Sequence, residues 1–309
     1  MKVKTLVKRV LRKMLHPKNA LTLIRIQRDK KKKKATTYID PWLKLYARIT
    51  PGQFLHYPYF TDPDIEGEDV SMSDIREAGN NYTNLIIDSV QDRESPVLDV
   101  GCGLGELCNL LQARGLQPVA LTPDQYQFDY IQKEYQDIEI IKSKFEEMDH
   151  RHYRHQFGTI IMAESLQYLN MDKALPLVDH TLKPGGSWIV GDYFKIQETS
   201  SLRGGKNWNQ FVEKTDKFGW NITSQQDITQ NILPFIYYLN LLGNRLFLPL
   251  VEHIIDGLKM KKPGIFFLLE DAIDTARADL LNLMKYIDPE TFAQERKYML
   301  LVLKKNDDE

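Results

Sequence analysis

The chain has 309 residues, of which 42% are hydrophobic, a net charge of −1 and two cysteines. A chain of this size can bury a large core, and its low cysteine content argues against a disulfide-stapled secreted protein. It contains neither a signal-peptide pattern nor an uninterrupted apolar run of about 18 residues. We therefore expect a cytoplasmic protein without a membrane span.

Basic residues are concentrated at the start of the chain. Residues 1–34 hold 14 Lys and Arg against the single Asp29, whereas the remaining residues carry a net charge of −14. Between Val3 and Leu15, apolar residues recur at steps of three and four, which predicts a basic amphipathic helix. We assign residues 1–36 to an arm that makes peripheral contact with an anionic membrane. A solvated tail, an organelle presequence or a nuclear signal would have a similar charge.

Residues 37–309 are assigned to one large domain, and an aromatic segment lies near its start. Residues 50–60 have the sequence TPGQFLHYPYF and place His56 beside Tyr57. Such a segment can simply pack as an aromatic cluster on the edge of the domain.

A glycine-rich loop follows the first strongly apolar strand. The sequence VLDVGCGLGEL at residues 97–107 joins a predicted strand to a predicted helix through Gly101, Gly103 and Gly105. These glycines allow a tight turn and a close backbone approach to a bulky ligand, and the first amides of the helix offer donors. An ordinary strand-to-helix turn is the purely structural alternative.

The glycine loop closely resembles motif I of the class I S-adenosylmethionine-dependent methyltransferases. Its glycines are spaced GxGxG rather than GxGxxG, and Asp99 lies two residues before the first of them. The resemblance implies that S-adenosylmethionine is the cofactor. It also implies that the cofactor is bound by Asp99, Gly101, Gly103 and Gly105.

A second segment narrows the resemblance to one branch of these enzymes. The sequence LTPDQ at residues 121–125 resembles the TLSPEQ element of the cyclopropane fatty acid synthase branch, which includes sterol and tocopherol methyltransferases. By that resemblance, Leu121, Thr122 and Gln125 contact the ribose side of the cofactor. Thr122 or Asp124 can also serve as a helix N-cap, and the two roles are compatible.

The same resemblance implies roles for three further aromatic residues. In this branch a His-Tyr-Gly element closes over the methionine end of the cofactor, which makes Tyr57 a cofactor contact and His56 a candidate catalytic residue. Pro58 stands where glycine is common in that element. Phe145 follows the third predicted strand, where methyltransferases commonly hold the adenine.

Glu164 is the main catalytic candidate. It ends the apolar run at residues 157–163, and ligands of open α/β sheets gather at the carboxyl ends of strands. Sterol methyltransferases resemble this chain in placing a Glu here, whereas cyclopropane synthases have a Glu-His pair where this chain has Gln167 and Tyr168. Glu164 can orient the acceptor, hold the cofactor or stabilise positive charge in the substrate. A structural salt bridge is the alternative role.

The order of predicted elements indicates an α/β fold, a Rossmann-like seven-stranded class I methyltransferase sheet. Helices are predicted at residues 105–115, 124–136 and 171–183 and after Asn207. The sequence LKPGG at residues 182–186 matches the turn that leads into the fifth strand of this superfamily. The predicted strands are 96–101, 117–122, 138–143, 157–163, 187–193, 220–223 and 298–303.

Residues 228–295 are too long and too rich in aromatic residues for a simple connection. We interpret them as a helical lid insertion over an acceptor pocket. The core of a helical subdomain would have the same composition.

The predicted function is methyl transfer from S-adenosylmethionine, by an SN2 step, to a hydrophobic small molecule or lipid of the sterol or isoprenoid type. N-methylation of a small amine and a non-catalytic cofactor-binding module are the alternatives. We predict no metal site, because His150, His152 and His155 lack a regular helical spacing and lie in a basic turn. We predict no nucleic-acid partner, because the basic charge is confined to the arm.

Overall fold

The computed structural model describes residues 55–197, 200, 202 and 204–306, together with the isolated residues 16, 19, 22 and 25. The predicted amphipathic helix of the arm therefore lies outside the described residues. Within the described part, the strands belong to a single sheet. They are β1 (Val97–Val100), β2 (Pro118–Thr122), β3 (Glu139–Lys142), β4 (Phe157–Ala163), β5 (Leu182–Lys195), β6 (Lys206–Asn207), β7 (Trp220–Asp227) and β8 (Arg296–Lys305).

The strand order is β3-β2-β1-β4-β5-β8-β7, and the short β6 pairs with β5. Strands β1 to β5 are parallel, whereas β8 runs antiparallel between β5 and β7. The predicted α/β sheet is thus confirmed, with β6 as an unpredicted extra strand. The glycine loop after β1 and Glu164 after β4 lie at the same carboxyl edge of the sheet.

Nine α-helices lie between residues 55 and 306 of the described part, and those other than Leu248–Lys261 and Pro263–Met284 bury residues against the domain. The first of them was not predicted, and it begins with a capping box in which Ser71 and Asp74 each accept a hydrogen bond from the other's backbone N–H. The helices are α1 (Met72–Asp88), α2 (Glu106–Ala113), α3 (Gln125–Glu134), α4 (Met171–Thr181), α5 (Trp208–Lys217), α6 (Thr229–Leu242), α7 (Leu248–Lys261), α8 (Pro263–Met284) and α9 (Pro289–Glu295).

Alternate residues of the central strands pack into two hydrophobic cores, one on each face of the sheet. Trp188 packs on the side of α4 and α5, while its neighbour Ile189 packs on the side of α1, α6 and α9. This two-residue alternation is what a sheet covered on both faces requires.

The predicted LKPGG turn lies inside the irregular start of β5. Leu182 pairs with Phe157, and regular pairing resumes only at Ser187 with Thr159. The residues between them bulge out, and Gly185 has a φ of +74° that favours glycine. Strand β5 therefore begins earlier than the predicted residue 187.

The insertion at residues 228–295 is helical, as predicted. Its two ends pack on the domain, since Ile232 and Ile236 of α6 and Phe292 of α9 are fully buried. Its middle differs, because neither α7 nor α8 has a buried residue. Among the described helices, none has both the length and the apolar composition needed to cross a bilayer.

Candidate active site

The glycine loop has a backbone that only glycine adopts without strain at several positions. Gly101 and Gly105 have φ of +79° and +85°. A Cβ on Gly101 would lie 2.6 Å from the Cβ of Ser165, so even alanine would not fit there. The N–H of Gly101 donates to the carbonyl of Leu121 at 2.8 Å, which holds the loop against β2. Gly103, with a φ of +55°, lies opposite Leu55.

Asp99 borders a small cavity of about 60 Å³ that the glycine loop shares with His56, Tyr82 and Ala163. Asp99 is 2% exposed, and among the described residues its carboxylate accepts a hydrogen bond only from the thiol of Cys108, at 3.4 Å. Burial raises the pKa of Asp99 to about 7. A buried carboxylate with one weak donor fits a ligand that supplies a cationic donor, such as the ammonium group of S-adenosylmethionine.

The residues expected on the ribose and adenine side are largely engaged within the protein. Leu121 and Phe145 are each 1% exposed and pack in the core. The hydroxyl of Thr122 donates to the side chain of Gln127 at 2.5 Å, and the N-cap of α3 is Asp124, one of the two residues named for that role. Gln125 is only partly buried and lies at the start of α3. Cofactor contact by these four residues stays a prediction.

Glu164 adopts an unusual backbone conformation at the end of β4. Its φ is +55°, a region that residues other than glycine rarely occupy. The carboxylate accepts hydrogen bonds from the N–H of Tyr57 at 2.5 Å and from the hydroxyl of Tyr298 at 3.0 Å. Burial, together with the nearby negative charge of Asp192, raises the pKa of Glu164 to about 8. The salt-bridge alternative is not observed, because none of the ion pairs of the described residues includes Glu164.

Two tyrosine hydroxyls continue the hydrogen-bond chain away from Glu164. The hydroxyl of Tyr298 lies 2.8 Å from that of Tyr82, and both can donate to the carbonyl of Gly191, at 3.4 Å and 3.3 Å. Tyr82 comes from α1 and Tyr298 from β8. The chain of hydroxyls therefore links Glu164 to two elements that lie far away in the sequence.

An aromatic cluster connects Glu164 with the helical insertion. The ring of Tyr57 lies 6.3 Å from Phe235 of α6, 6.0 Å from Phe292 of α9 and 6.1 Å from Tyr298, measured between centroids. The backbone of Tyr57 binds Glu164 while its ring contacts the insertion. The predicted aromatic segment thus lies at the site rather than at a remote edge of the domain.

His56 forms a wall of the cavity on the side of the glycine loop. Its ring stacks on Tyr82 at 4.2 Å, and its Nδ1 donates to the carbonyl of Tyr57 at 3.1 Å. Burial lowers the pKa of His56 to about 4, so the ring is neutral near pH 7 and a weak base. Its catalytic role stays a prediction.

Sequence reasoning did not identify Asp192 or Tyr298 as site residues. Asp192 lies near the end of β5, is 1% exposed, and accepts hydrogen bonds from the N–H groups of Tyr193 and Gln167. Burial raises its pKa to about 7. An acid within an apolar strand was the available signal for Asp192, the same signal that identified Glu164. For Tyr298 the sequence predicts only a place in a strand.

The family comparison matches the region that contains the glycine loop. Residues 97–186 match the model of a methyltransferase domain. The chain carries a methyltransferase domain. None of the curated proteins shows a significant match to it. Among the described residues, no group of three metal-binding side chains is found.

Solved structures similar to the methyltransferase domain and its flanking elements show the same fold. A protein described as a sarcosine dimethylglycine methyltransferase from Galdieria sulphuraria is 14% identical, with a TM-score of 0.63 over 87% of this chain and 99% of that one. Geranyl diphosphate C-methyltransferase from Streptomyces coelicolor A3(2) is 11% identical, with a TM-score of 0.58 over 86% and 98%. The cyclase SpnF is 20% identical, with a TM-score of 0.58 over 82% and 88%.

The TM-scores establish the fold, whereas identities of 11% to 20% do not establish the acceptor. Together, the family match and the described fold indicate a methyltransferase domain of the class I architecture, and the geranyl diphosphate C-methyltransferase structure holds S-adenosyl-L-homocysteine.

Proposed function

We propose that this methyltransferase methylates a hydrophobic small molecule or lipid of the sterol or isoprenoid type. The observation that carries the proposal is the position of Glu164, which follows Ala163 of the cavity wall and accepts a hydrogen bond from the backbone of Tyr57. The ring of Tyr57 packs in the aromatic cluster with Phe235 and Phe292. A methyl acceptor in this place meets aromatic rings and one carboxyl group. The geranyl diphosphate C-methyltransferase among the similar structures supports an isoprenoid acceptor.

The residues at the glycine loop suit one end of the cofactor. S-adenosylmethionine, when bound, supplies an electrophilic methyl group on a sulfonium. Asp99 would accept hydrogen bonds from the ammonium group in the methionine part of the cofactor. Within the described protein, its carboxylate accepts only one weak hydrogen bond, from the thiol of Cys108. The glycine loop would present its backbone to the cofactor, while the side of Gly101 where a Cβ would lie packs against Ser165.

Glu164 would act on the charge or the proton of the acceptor. With an alkene acceptor, positive charge forms on carbon, and the carboxyl group and the faces of the nearby rings would stabilise it. With a heteroatom acceptor, Glu164 would accept the proton, for which a pKa of about 8 is well matched to neutral pH. Tyr57 and Tyr298 would fix the carboxyl group in either case, through their hydrogen bonds to it.

The helical insertion would exclude water from the reaction. Phe235 of α6 and Phe292 of α9, at the two ends of the insertion, both contact the ring of Tyr57. Such a cover keeps the acceptor aligned with the methyl group, and alignment supplies much of the rate in group transfer. Residues 1–36 would bring the protein to an anionic membrane that holds the acceptor.

The test is to incubate the purified protein with methyl-labelled S-adenosylmethionine and cell extract, and to partition the label between organic and aqueous phases. Label in the neutral-lipid fraction is expected and supplies the product for mass analysis. Label in a water-soluble amine would favour the N-methylation alternative, to which the Galdieria sulphuraria structure points. Tight cofactor binding without any transfer would favour a non-catalytic module.

Substitution of the carboxyl group and its partner separates catalysis from binding. Once the acceptor is known, we expect Glu164→Gln to lower kcat about 10²-fold or more, the range of general acid–base contributions, with little change in cofactor affinity. Tyr298→Phe keeps the ring and removes only the hydroxyl, so a smaller loss is expected. Unchanged turnover in Glu164→Gln would remove this residue from the mechanism.

A further inference from the structure

Helices α7 and α8 form an antiparallel hairpin without a buried residue. Arg277 of α8 forms an ion pair with Glu252 of α7 at 2.7 Å, and Lys259 of α7 lies 5.5 Å from the ring of Phe266 in α8. Contacts between an early and a late residue, and between two residues near the turn, define the antiparallel arrangement. None of the residues from Leu248 to Met284 is buried.

The turn of this hairpin is both apolar and basic. Residues 257–269, which we call the hairpin tip, have the sequence GLKMKKPGIFFLL, with seven large apolar residues, three lysines and no acid. Met260, Phe267 and Leu268 are 81%, 74% and 70% exposed. Large apolar side chains exposed together mark a surface for interaction rather than a solvated loop.

Charge distinguishes among the possible occupants of this surface. Lys259, Lys261 and Lys262 lie beside the exposed apolar residues, and the nearest acids, Asp256 and Glu270, lie just outside the tip. Lysines around exposed aromatic and aliphatic residues are the pattern of interfacial membrane anchors, because the apolar groups enter the acyl boundary and the lysines meet anionic headgroups. In a contact between the tips of two copies, six lysines would repel one another.

We propose that the hairpin tip inserts into the surface of a membrane containing anionic lipids. This membrane contact lies in the described part of the chain and is separate from the predicted contact of the N-terminal arm. Membrane insertion of the tip requires no methyl transfer, so its test does not depend on the proposed acceptor.

The test places a probe at the tip, so that binding through the arm does not contribute to the signal. In the full chain, Phe267→Cys is labelled with an environment-sensitive fluorophore, and the native Cys102 and Cys108 are buried. The matched control is Leu281→Cys, which is 50% exposed on the same helix but away from the tip. Both variants must still bind S-adenosylhomocysteine, which shows that the domain is folded.

We expect vesicles of phosphatidylcholine mixed with phosphatidylserine to shift the emission of the probe at residue 267 to the blue. Doxyl-labelled lipid should quench this probe and leave the probe at residue 281 largely unquenched. Replacement of Lys259, Lys261 and Lys262 by Gln should weaken the response about fivefold for each lysine. The same replacement of the exposed Lys133, Lys173 and Lys217 on other helices should leave it unchanged.

Three results would overturn the proposal. One is a probe at residue 267 that does not respond to mixed vesicles. Another is blue emission without vesicles in a protein with the mass of a dimer, which would assign the tip to a second copy. The third is blue emission without vesicles in a monomer, which would assign it to the N-terminal arm.

Discussion

Glu164 combines an unfavourable backbone conformation with a buried carboxyl group whose ionised form is disfavoured. A φ of +55° costs of the order of 1–3 kcal/mol in a residue other than glycine, and burial opposes ionisation of the carboxyl group. Such features persist when the surroundings enforce them, here the N–H of Tyr57 and the hydroxyl of Tyr298. Strain and burial at the same residue support a functional rather than a structural role.

The raised pKa of Glu164 predicts how stability changes with pH. Because the folded-state value is about 8 against an ordinary 4.5, the associated stability is fully present below pH 4.5 and is lost as pH rises through 8. Glu164→Gln should therefore raise Tm at pH 8 by about 2–4 °C for each kcal/mol recovered, with little gain at pH 5. Thermal melts across this range test it, with the exposed Glu77→Gln as the control. An equal gain at both pH values would contradict the assignment.

Gly191 is the glycine of β5 that allows the two tyrosine hydroxyls to meet. A Cβ at this position would overlap the hydroxyl of Tyr82. Gly191→Ala should displace that hydroxyl from Tyr298, lower stability by about 1–3 kcal/mol and reduce turnover. Denaturant unfolding and the methyl-transfer assay measure the two effects. Gly257→Ala, where a Cβ meets nothing, is the control, and equal effects of both variants would contradict the prediction.

At the scale of elements, the hairpin of α7 and α8 should be dispensable for folding. Because none of its residues is buried, replacing residues 250–281 with a short Gly/Ser linker should change Tm by no more than a few degrees. By contrast, Ile236→Ala in the buried part of α6 should cost about 2–5 kcal/mol. Melting curves test this prediction, and a large decrease in the Tm of the deletion variant would show that the hairpin supports the core.

Elements with strong local patterns were predicted well. The glycine loop, the apolar strands β1 to β5 and the helical insertion each carry a signal within a short stretch of sequence. Helix α1 was missed because its apolar residues are interrupted by Asn80 and Asn81, although its capping box at Ser71 and Asp74 is a local signal of a helix start. The two-residue strand β6 is too short to produce a periodic pattern.

At the scale of the whole molecule, binding of the cofactor should stabilise the folded chain. A ligand at about 100 times its Kd adds about 2.7 kcal/mol. S-adenosylhomocysteine should therefore raise Tm, while NAD⁺ at the same concentration should not, because the loop lacks the dinucleotide spacing GxGxxG. The shift should shrink in Asp99→Asn. An equal response to both ligands would contradict the cofactor assignment.

Site residues were predictable from the sequence only where they lie in short sequence motifs. Asp99, Gly101 and Glu164 lie in motifs of a few residues, whereas Tyr298 enters the site through the pairing of β5 with β8. That pairing joins segments about a hundred residues apart, and no short pattern encodes it. A strand tyrosine is indistinguishable from a core residue until the register is known.

The late position of β8 also determines when the site is assembled during synthesis. Glu164 and the glycine loop are made long before residue 298, and β5 has an open edge until β8 pairs with it. A nascent chain at that stage holds Glu164 without the hydroxyl of Tyr298. The carboxyl site is therefore completed late in translation, when β8 covers the edge of β5 and brings the hydroxyl of Tyr298 to Glu164.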